Sequence, residues 1–359
     1  MQTTDASLDD ARPAQAPTSP LLGRSGAVPA DGADTGVAWH YGDPVREQRL
    51  LVAGEAVTDL SHRGVVRVVG PDRLTWLHSL TTQALTGLAP GASAETLVLS
   101  PHGHVEHAVH VVDDGAAAWL TVEPGTVPAL VGWLRAMRFM LRVEVEDVTA
   151  HWAVLGCVGE APVAGLTVPD GAPPVWHDPW PRLGSTSASY AAVPDDEHPG
   201  LARPWVEVLL PRTTLAEVVR DLPLAGSWAS EALRVAAWRP RLGHESDHRT
   251  IPHEVDWLRS GVHLQKGCYR GQESVARVHN LGRPPRRLVL LHLDGSEHTL
   301  PDAGAPVVLG ERQVGFVTTA ARHHELGPVA LALVKRSVPV DARLVTGGLA
   351  AAQEIIVRP

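Results

Sequence analysis

Lys266-Gly267-Cys268-Tyr269-Arg270-Gly271-Gln272-Glu273 gathers residue types that the chain otherwise avoids. Lysine occurs only at Lys266 and Lys335, cysteine only at Cys157 and Cys268, and tyrosine only at Tyr41, Tyr190 and Tyr269. Gly267 and Gly271 can take positive φ and admit close backbone approach, which predicts a tight turn around the thiol rather than a regular element. Lys266 and Arg270 flank the thiol with positive charge, and Arg277 and His279 follow. Nearby cations favour the thiolate, the form that attacks electrophiles or binds metal. Two readings compete for Cys268: a functional thiol, and a buried structural cysteine of the kind common in cores. The flanking charges and glycines favour the functional thiol. Cys157 sits in the apolar strand-like run 152–157 and takes the structural reading.

Histidines form a second cluster, with His102, His104, His107 and His110 on and after the hairpin turn Ser100-Pro101-His102-Gly103. On a strand, His104, Glu106 and His110 share one face while His107 points the other way. Convergent ligation would need a neighbouring strand, so solvated or hydrogen-bonded histidines are expected and no metal site is assigned. A cysteine hydrolase would need a base near Cys268. His263 and His279 are candidates, but neither has an evident orienting partner. The absence of a further cysteine near Cys268 also argues against a permanent iron–sulfur cluster, which generally takes several thiolates, while remaining compatible with transient ligation or thiol exchange.

The elements that position these groups are legible in outline. The chain has 359 residues, enough for two or three domains. At 44% hydrophobic and 20% charged residues it reads as a soluble globular protein. A net charge of −9 disfavours nucleic acid or an anionic membrane as a bulk partner. Two distant cysteines make no disulfide framework, no basic-then-apolar leader is evident, and no apolar run is long enough to span a membrane; the expectation is a cytoplasmic protein.

Residues 1–36, rich in Ala, Pro, Gly, Asp and Ser, read as a disordered tail. Strand-like runs at 56–61 and 65–69 precede a short helix at 73–80 with Leu74, Leu77 and Leu80 on one face. Strands at 96–99 and 105–112 follow, then helical spacing over 126–140 and a strand at 143–148. A second αβ segment opens near Trp152, passes through Pro- and Gly-rich loops at 168–182, and resumes with a strand at 205–210 and helices at 215–222 and 231–238, the last capped by Ser230. From Arg287 onward short strands and turns predict a small barrel or sandwich. The domain expectation is a tail to 36, an N-terminal αβ lobe over 37–150, a second αβ lobe over 151–283 carrying the lysine–cysteine motif, and a β-domain over 284–359.

The eight-residue motif resembles that of the YgfZ/IBA57 family of folate-binding iron–sulfur proteins. Ala232-Leu233-Arg234 through Pro240-Arg241-Leu242-Gly243 is similar to that family's arginine helix and following turn, and Ile251-Pro252-His253-Glu254 to its Pro-x-Glu element. The run from Gln272 to Arg277 and Gly282 extends the likeness, while Gly70-Pro71-Asp72-Arg73 through Leu77 resembles the helix start shared with glycine-cleavage T-proteins. Residues 310–319 resemble the C-terminal β-domain of both. The resemblance implies an α+β, three-lobed T-protein-like architecture with ferredoxin-like antiparallel αβ lobes and a C-terminal barrel-like domain. It also implies a tetrahydrofolate (or one-carbon folate) pocket between lobes, and a role in maturing or repairing iron–sulfur enzymes, including those that thiolate tRNA. Expected partners are iron–sulfur assembly proteins and client enzymes, without direct nucleic acid or membrane contact.

Carried onto this chain, Arg234 would pair the folate glutamate carboxylate and Glu207 would accept from pterin N–H groups. Lys266, Tyr269, Gln272 and Glu273 would belong to the folate site, with Cys268 as the functional thiol. Arg234 could instead pair with Glu231 on its own helix, and Glu207 could be an exposed strand carboxylate. T-proteins place an Asp after the glycine hairpin; here the stretch reads Gly103-His104-Val105-Glu106-His107-Ala108, and Glu106 would serve only with a one-residue register shift. Folate-dependent aminomethyl transfer is therefore the second reading.

Overall fold

The structure, a computed structural model, describes residues 17–169, 171–296 and 299–359. Two antiparallel sheets and a barrel account for most of the strands. The first sheet runs in the order Ser93–Leu99, Val105–Asp113, Ala117–Val122, Gly64–Val69 and Glu144–Asp147. Its alternating valines, among them Val66, Val68, Val109 and Val111, face helices Arg73–Leu80 and Val127–Ala136. Trp76 and Leu77 come from the first helix; Leu130, Val131 and Leu134 line the other at helical spacing.

The second sheet is ordered Val175–His177, Trp205–Pro211, Trp152–Val158, Val57–Asp59 and Leu224–Ala225, with only the last pair parallel. Val57–Asp59 precedes every strand of the first sheet, so the chain begins the second sheet, leaves to build the first, and returns at Trp152. The division at residue 150 thus misses one strand. Helices Pro44–Val52 and Ser227–Ala236 cover this sheet through Leu51, Ala229 and Leu233. The second of these starts earlier than expected: Gly226 is its N-cap and Ser230 lies within it, donating to the Ser227 carbonyl at 3.0 Å.

The expected all-β segment is a closed barrel ordered Arg286–Leu293, Gly327–Lys335, Arg312–His323, Pro306–Leu309, Arg343–Thr346 and Leu349–Ile355. A shared core joins all three parts, bringing Leu97 and Leu99 together with Trp238, Trp257, Tyr269, Leu288 and Leu331. The fold class read from the sequence is therefore the observed one.

The tail needs correcting. Residues 1–16 lie outside the described residues, but residues 17–36 pack on the second lobe. Leu21 is buried, Ser19 donates to the Asp59 carboxylate, and short 3-10 turns occupy Pro20–Gly23 and Gly32–Asp34. Low aliphatic content does not exclude order where a few residues find specific partners. Among the described residues no helix is long and apolar enough to cross a membrane.

Candidate functional site

Glu207 lies at the centre of strand Trp205–Pro211 and is completely buried. Such a carboxylate survives only with charge and hydrogen-bond partners. Arg63 donates to one oxygen, which also accepts from Trp205 Nε1 at 3.2 Å; the other accepts from His110 Nδ1 at 2.9 Å. Burial works to raise its pKa, but Arg63 and His110 outweigh it and hold the carboxyl well below the usual range. His110 is itself fixed by stacking flat on Trp176, with centroids 3.7 Å apart. Arg63, His110, Trp205 and Glu207 line a narrow pocket of about 40 Å³ between the lobes, with Arg203, Arg239 and Arg241 on its other walls. The exposed-strand alternative for Glu207 is excluded.

Arg234 also borders this cavity, and every one of its five donors is taken. Nε and Nη2 reach Glu231, Nη1 reaches Glu245 at 2.7 Å and the Arg239 carbonyl, and the remaining Nη2 proton reaches Thr319 Oγ1 at 3.1 Å. Burial opposes its charge, while Glu231 and Glu245 keep it protonated. The structure thus realises the helical pairing with Glu231 and adds a strut to the barrel, since Glu245 also accepts from Thr318 and Thr319. In this arrangement Arg234 has no donor left for a folate carboxylate.

Arg241 ties the parts together. It donates to Asp34 of the N-terminal segment at 2.8 Å, to Glu123 of the first lobe at 2.8 Å, and lies 3.3 Å from Glu231 of the second. Arg63, Asp34 and the hub role of Arg241 were not singled out from the sequence, and His110 was read only as one of the hairpin histidines. The usable signal was Arg241 itself, beside the arginine helix in a motif-bearing turn; the carboxylates it meets are scattered along the chain.

The lysine–cysteine motif is assigned by sequence to the second lobe but docks on the first. Lys266 Nζ donates to the carbonyls of His78, Thr81 (2.5 Å) and Gln83 (3.2 Å), satisfying groups at the C-terminal end of helix Arg73–Leu80. Burial pulls its pKa down to about 8. Its ammonium also sits 5.3 Å from the ring of Tyr269, which is buried in the shared core with its pKa pushed up to about 12 by burial. Gly271 takes φ +83°, and a Cβ there would stand 2.6 Å from the Ser100 carbonyl oxygen, so only glycine lets the loop lie against the histidine hairpin. Arg270 adds paired contacts to Glu106 at 3.1 and 3.2 Å. Gln272 and Glu273 open helix Gln272–Leu281; the Gln272 amide reaches the Lys266 carbonyl at 3.5 Å and Glu273 is exposed.

Between these anchors Cys268 is exposed in irregular backbone, outside any helix or strand, whereas Cys157 is buried and its thiol is pushed up to about 12, chiefly by burial. The expected activation of Cys268 by Lys266 is not the arrangement found, because the ammonium is committed to three carbonyls. His263 Nδ1 accepts from Gln265 N–H and His279 Nδ1 pairs with Tyr190 Oη, so among the described residues neither is bonded to the thiol.

The hairpin also walls an open cleft of about 730 Å³, lined among others by His104, His107, Trp133, Leu242 and Asp247. His107 is buried, its Nδ1 has no partner, and burial lowers its pKa to about 4, leaving a neutral imidazole on the wall. Two carboxylates on this wall are neutralised in place: Glu106 by Arg270, and Asp247 by Arg286 at 3.1 Å and by a second, shorter contact. Hydrogen bonding to Arg286 holds Asp247 well below the usual carboxylate range.

Two antiparallel αβ lobes and a closed barrel around a buried, charge-lined cavity define the glycine-cleavage T-protein fold. The GCVT N-terminal domain matches residues 22–164, and the glycine cleavage T-protein C-terminal barrel domain matches residues 286–357. The crystal structure of the glycine cleavage system aminomethyltransferase T from Bartonella henselae is similar with a TM-score of 0.73 at 20% identity, covering 94% of this chain and 95% of that one. The chain belongs to the family these two domains define and is related to the aminomethyltransferases. It is 28% identical to a chloroplastic protein of Arabidopsis thaliana named as a transferase without a stated reaction (82% of this chain, 68% of the relative). It is 26% identical to the aminomethyltransferase of Moorella thermoacetica (88% and 89%) and 26% identical to the mitochondrial iron-sulfur cluster assembly factor IBA57 homolog of Mycosarcoma maydis (64% and 55%).

Proposed function

We propose that this protein is a tetrahydrofolate-binding accessory factor for iron–sulfur cluster assembly or repair, acting in the cytoplasm on iron–sulfur enzymes that include tRNA-modifying ones. The observation that carries this reading is the state of the acidic groups around the cleft. Glu106 and Asp247 on the cleft wall are each paired with arginine, as is Glu207 beside the smaller pocket, and the buried hairpin residue facing the cleft is the neutral His107. Asp247 and Glu207, which their arginines hold as anions, are poor proton acceptors, and this favours binding over a base-assisted one-carbon transfer. The likeness to an IBA57 homolog supports the iron–sulfur side of the reading.

Fit to the folate divides between the two spaces. The pocket beside Glu207, at about 40 Å³, is too narrow as it stands for a bicyclic pterin. The open cleft of about 730 Å³ is within the range of small-molecule sites, and the orphaned Nδ1 of His107 is a polar atom on its wall suited to a ligand partner. His107 and Trp133 would therefore hold the ring, with Glu207, Arg234 and Arg241 bracing the wall behind. Bound tetrahydrofolate supplies the nitrogens that carry a one-carbon unit. Lys266 and Tyr269 fix the loop that presents Cys268 to a protein partner.

Aminomethyl transfer remains the second reading, favoured by the aminomethyltransferase that matches along 88% of the chain. Calorimetric titration of tetrahydrofolate, with and without a one-carbon donor and the glycine-cleavage partner protein, separates the two. Binding that weakens in His107→Ala, without formation of methylene-tetrahydrofolate, is the expected result. Turnover comparable to a true T-protein would reverse the ranking.

A further inference from the structure

The chain contains only two phenylalanines and three methionines, one of them Met1. One phenylalanine and both internal methionines fall within Arg135-Ala136-Met137-Arg138-Phe139-Met140-Leu141-Arg142, between helix Val127–Ala136 and strand Glu144–Asp147. All eight residues are exposed. Phe139 is 89% and Met140 83% accessible, beside Met137 at 45% and Leu141 at 40%. A chain this sparing of Phe and Met, with a core built from Val, Leu, Ala and Trp, places these side chains in water at its outer edge.

The backbone makes the placement still less favourable in isolation. Leu141 N–H donates to the Arg138 carbonyl at 3.1 Å, closing a tight turn with Phe139 and Met140 at its tip. Phe139 takes φ +45° there, a conformation suited to Gly, Asn or Asp. This turn ends the expected helix early, at Ala136 rather than Met140. An aromatic ring held outward by strained backbone is a feature that folding alone does not explain.

Charge says what would cover it. Arg135, Arg138 and Arg142 lie within these eight residues and no acid does, in a chain of net charge −9. Arg142 pairs with Asp72 at 2.7 Å while remaining 73% exposed, and Arg135 donates to the Val145 carbonyl at 2.9 Å. Aromatic, methionine and arginine side chains are the types enriched at protein interfaces, and methionine adapts its shape to a partner surface. We infer that the loop Arg135–Arg142 is a docking element for a partner protein that offers an apolar pocket rimmed by carboxylates. The phenylalanine and methionine fill the pocket and the arginines meet the rim. An anionic membrane is disfavoured by the overall negative charge and by the shortness of the apolar tip.

The test uses the full chain and its Phe139→Ser, Met140→Ser and Arg138→Glu variants. Proteins retained from an extract of the expressing cells by the parent but lost with Phe139→Ser are identified, produced pure and titrated. The expected result is binding about tenfold or more weaker for Phe139→Ser and Met140→Ser. Arg138→Glu should weaken it too and flatten its salt dependence. Melting temperatures should be unchanged, and Phe139→Gly, which relaxes the turn, should melt higher while losing the partner. Three outcomes would overturn the inference: no pure partner showing this loop dependence; loop-dependent binding to phosphatidylserine vesicles instead; or loop-dependent self-association in sedimentation equilibrium.

Discussion

Lys266 turns its ammonium away from Cys268, two residues on, and gives it to the carbonyl of Thr81, 2.5 Å away at the end of helix Arg73–Leu80. The motif lysine is a helix cap and an anchor between lobes. Lys266→Met should cost about 2 kcal/mol in denaturant unfolding, the scale of a hydrogen bond to a charged group. The pH profile of Cys268 alkylation should be the same in the variant and the parent. A displaced profile would restore the lysine to the thiol.

Arg234→Met should behave as a structural lesion. It leaves Glu231 and Glu245 buried without their common cation, and breaking a buried pair from one side costs about 3–5 kcal/mol. Adding Glu245→Gln to Arg234→Met should recover part of that loss. Tetrahydrofolate affinity of the folded Arg234→Met protein should stay close to the parent value; a drop of tenfold or more would return Arg234 to the ligand.

Alkylating reagents should modify Cys268 in the native protein and reach Cys157 only on unfolding, because Cys157 is buried and pushed up to about 12. Cys268→Ser should keep its melting temperature and folate binding yet fail to restore iron–sulfur enzyme activity in cells lacking the protein. Full rescue would remove the thiol from the mechanism.

Acid should destabilise the protein through its buried histidines. Burial lowers His107 and His253 to about 4, so each ring takes up a proton near pH 6.5 in the unfolded chain but not in the folded one until far lower pH. Between those values the unfolded state binds more protons, and stability falls as pH is lowered. Urea midpoints at pH 7 and pH 5 should differ less in His107→Gln than in the parent, whatever the variant's stability at pH 7.

What the sequence made legible follows from the range of the interactions. The barrel strands and the helix faces of Leu130 and Leu134 were readable because their periodicity is local. The pairing of Arg234 with Glu231 was foreseeable as an i, i+3 contact on one helix, whereas Glu245 and Thr319 arrive from other segments. Asp34 was lost in a segment of low aliphatic content because its partner, Arg241, lies 207 residues away. Lys266 misled by adjacency: proximity in sequence to Cys268 suggested a shared field, but a long side chain on a turn goes where unsatisfied carbonyls are. The pairing of Glu106 with Arg270 on the cleft wall joins residues 164 positions apart, which no local pattern announces.

The seating of Gly271 against the Ser100 carbonyl, together with the Lys266 anchor, makes Cys268 mechanically part of the first lobe. A spin label on that one accessible thiol is therefore a marker fixed to the first sheet. Paired with a second label at Val345→Cys, an exposed barrel position, it forms a molecular ruler between the first lobe and the barrel. It would read any movement of the barrel against the first lobe as a distance while leaving every residue of the cleft wall untouched.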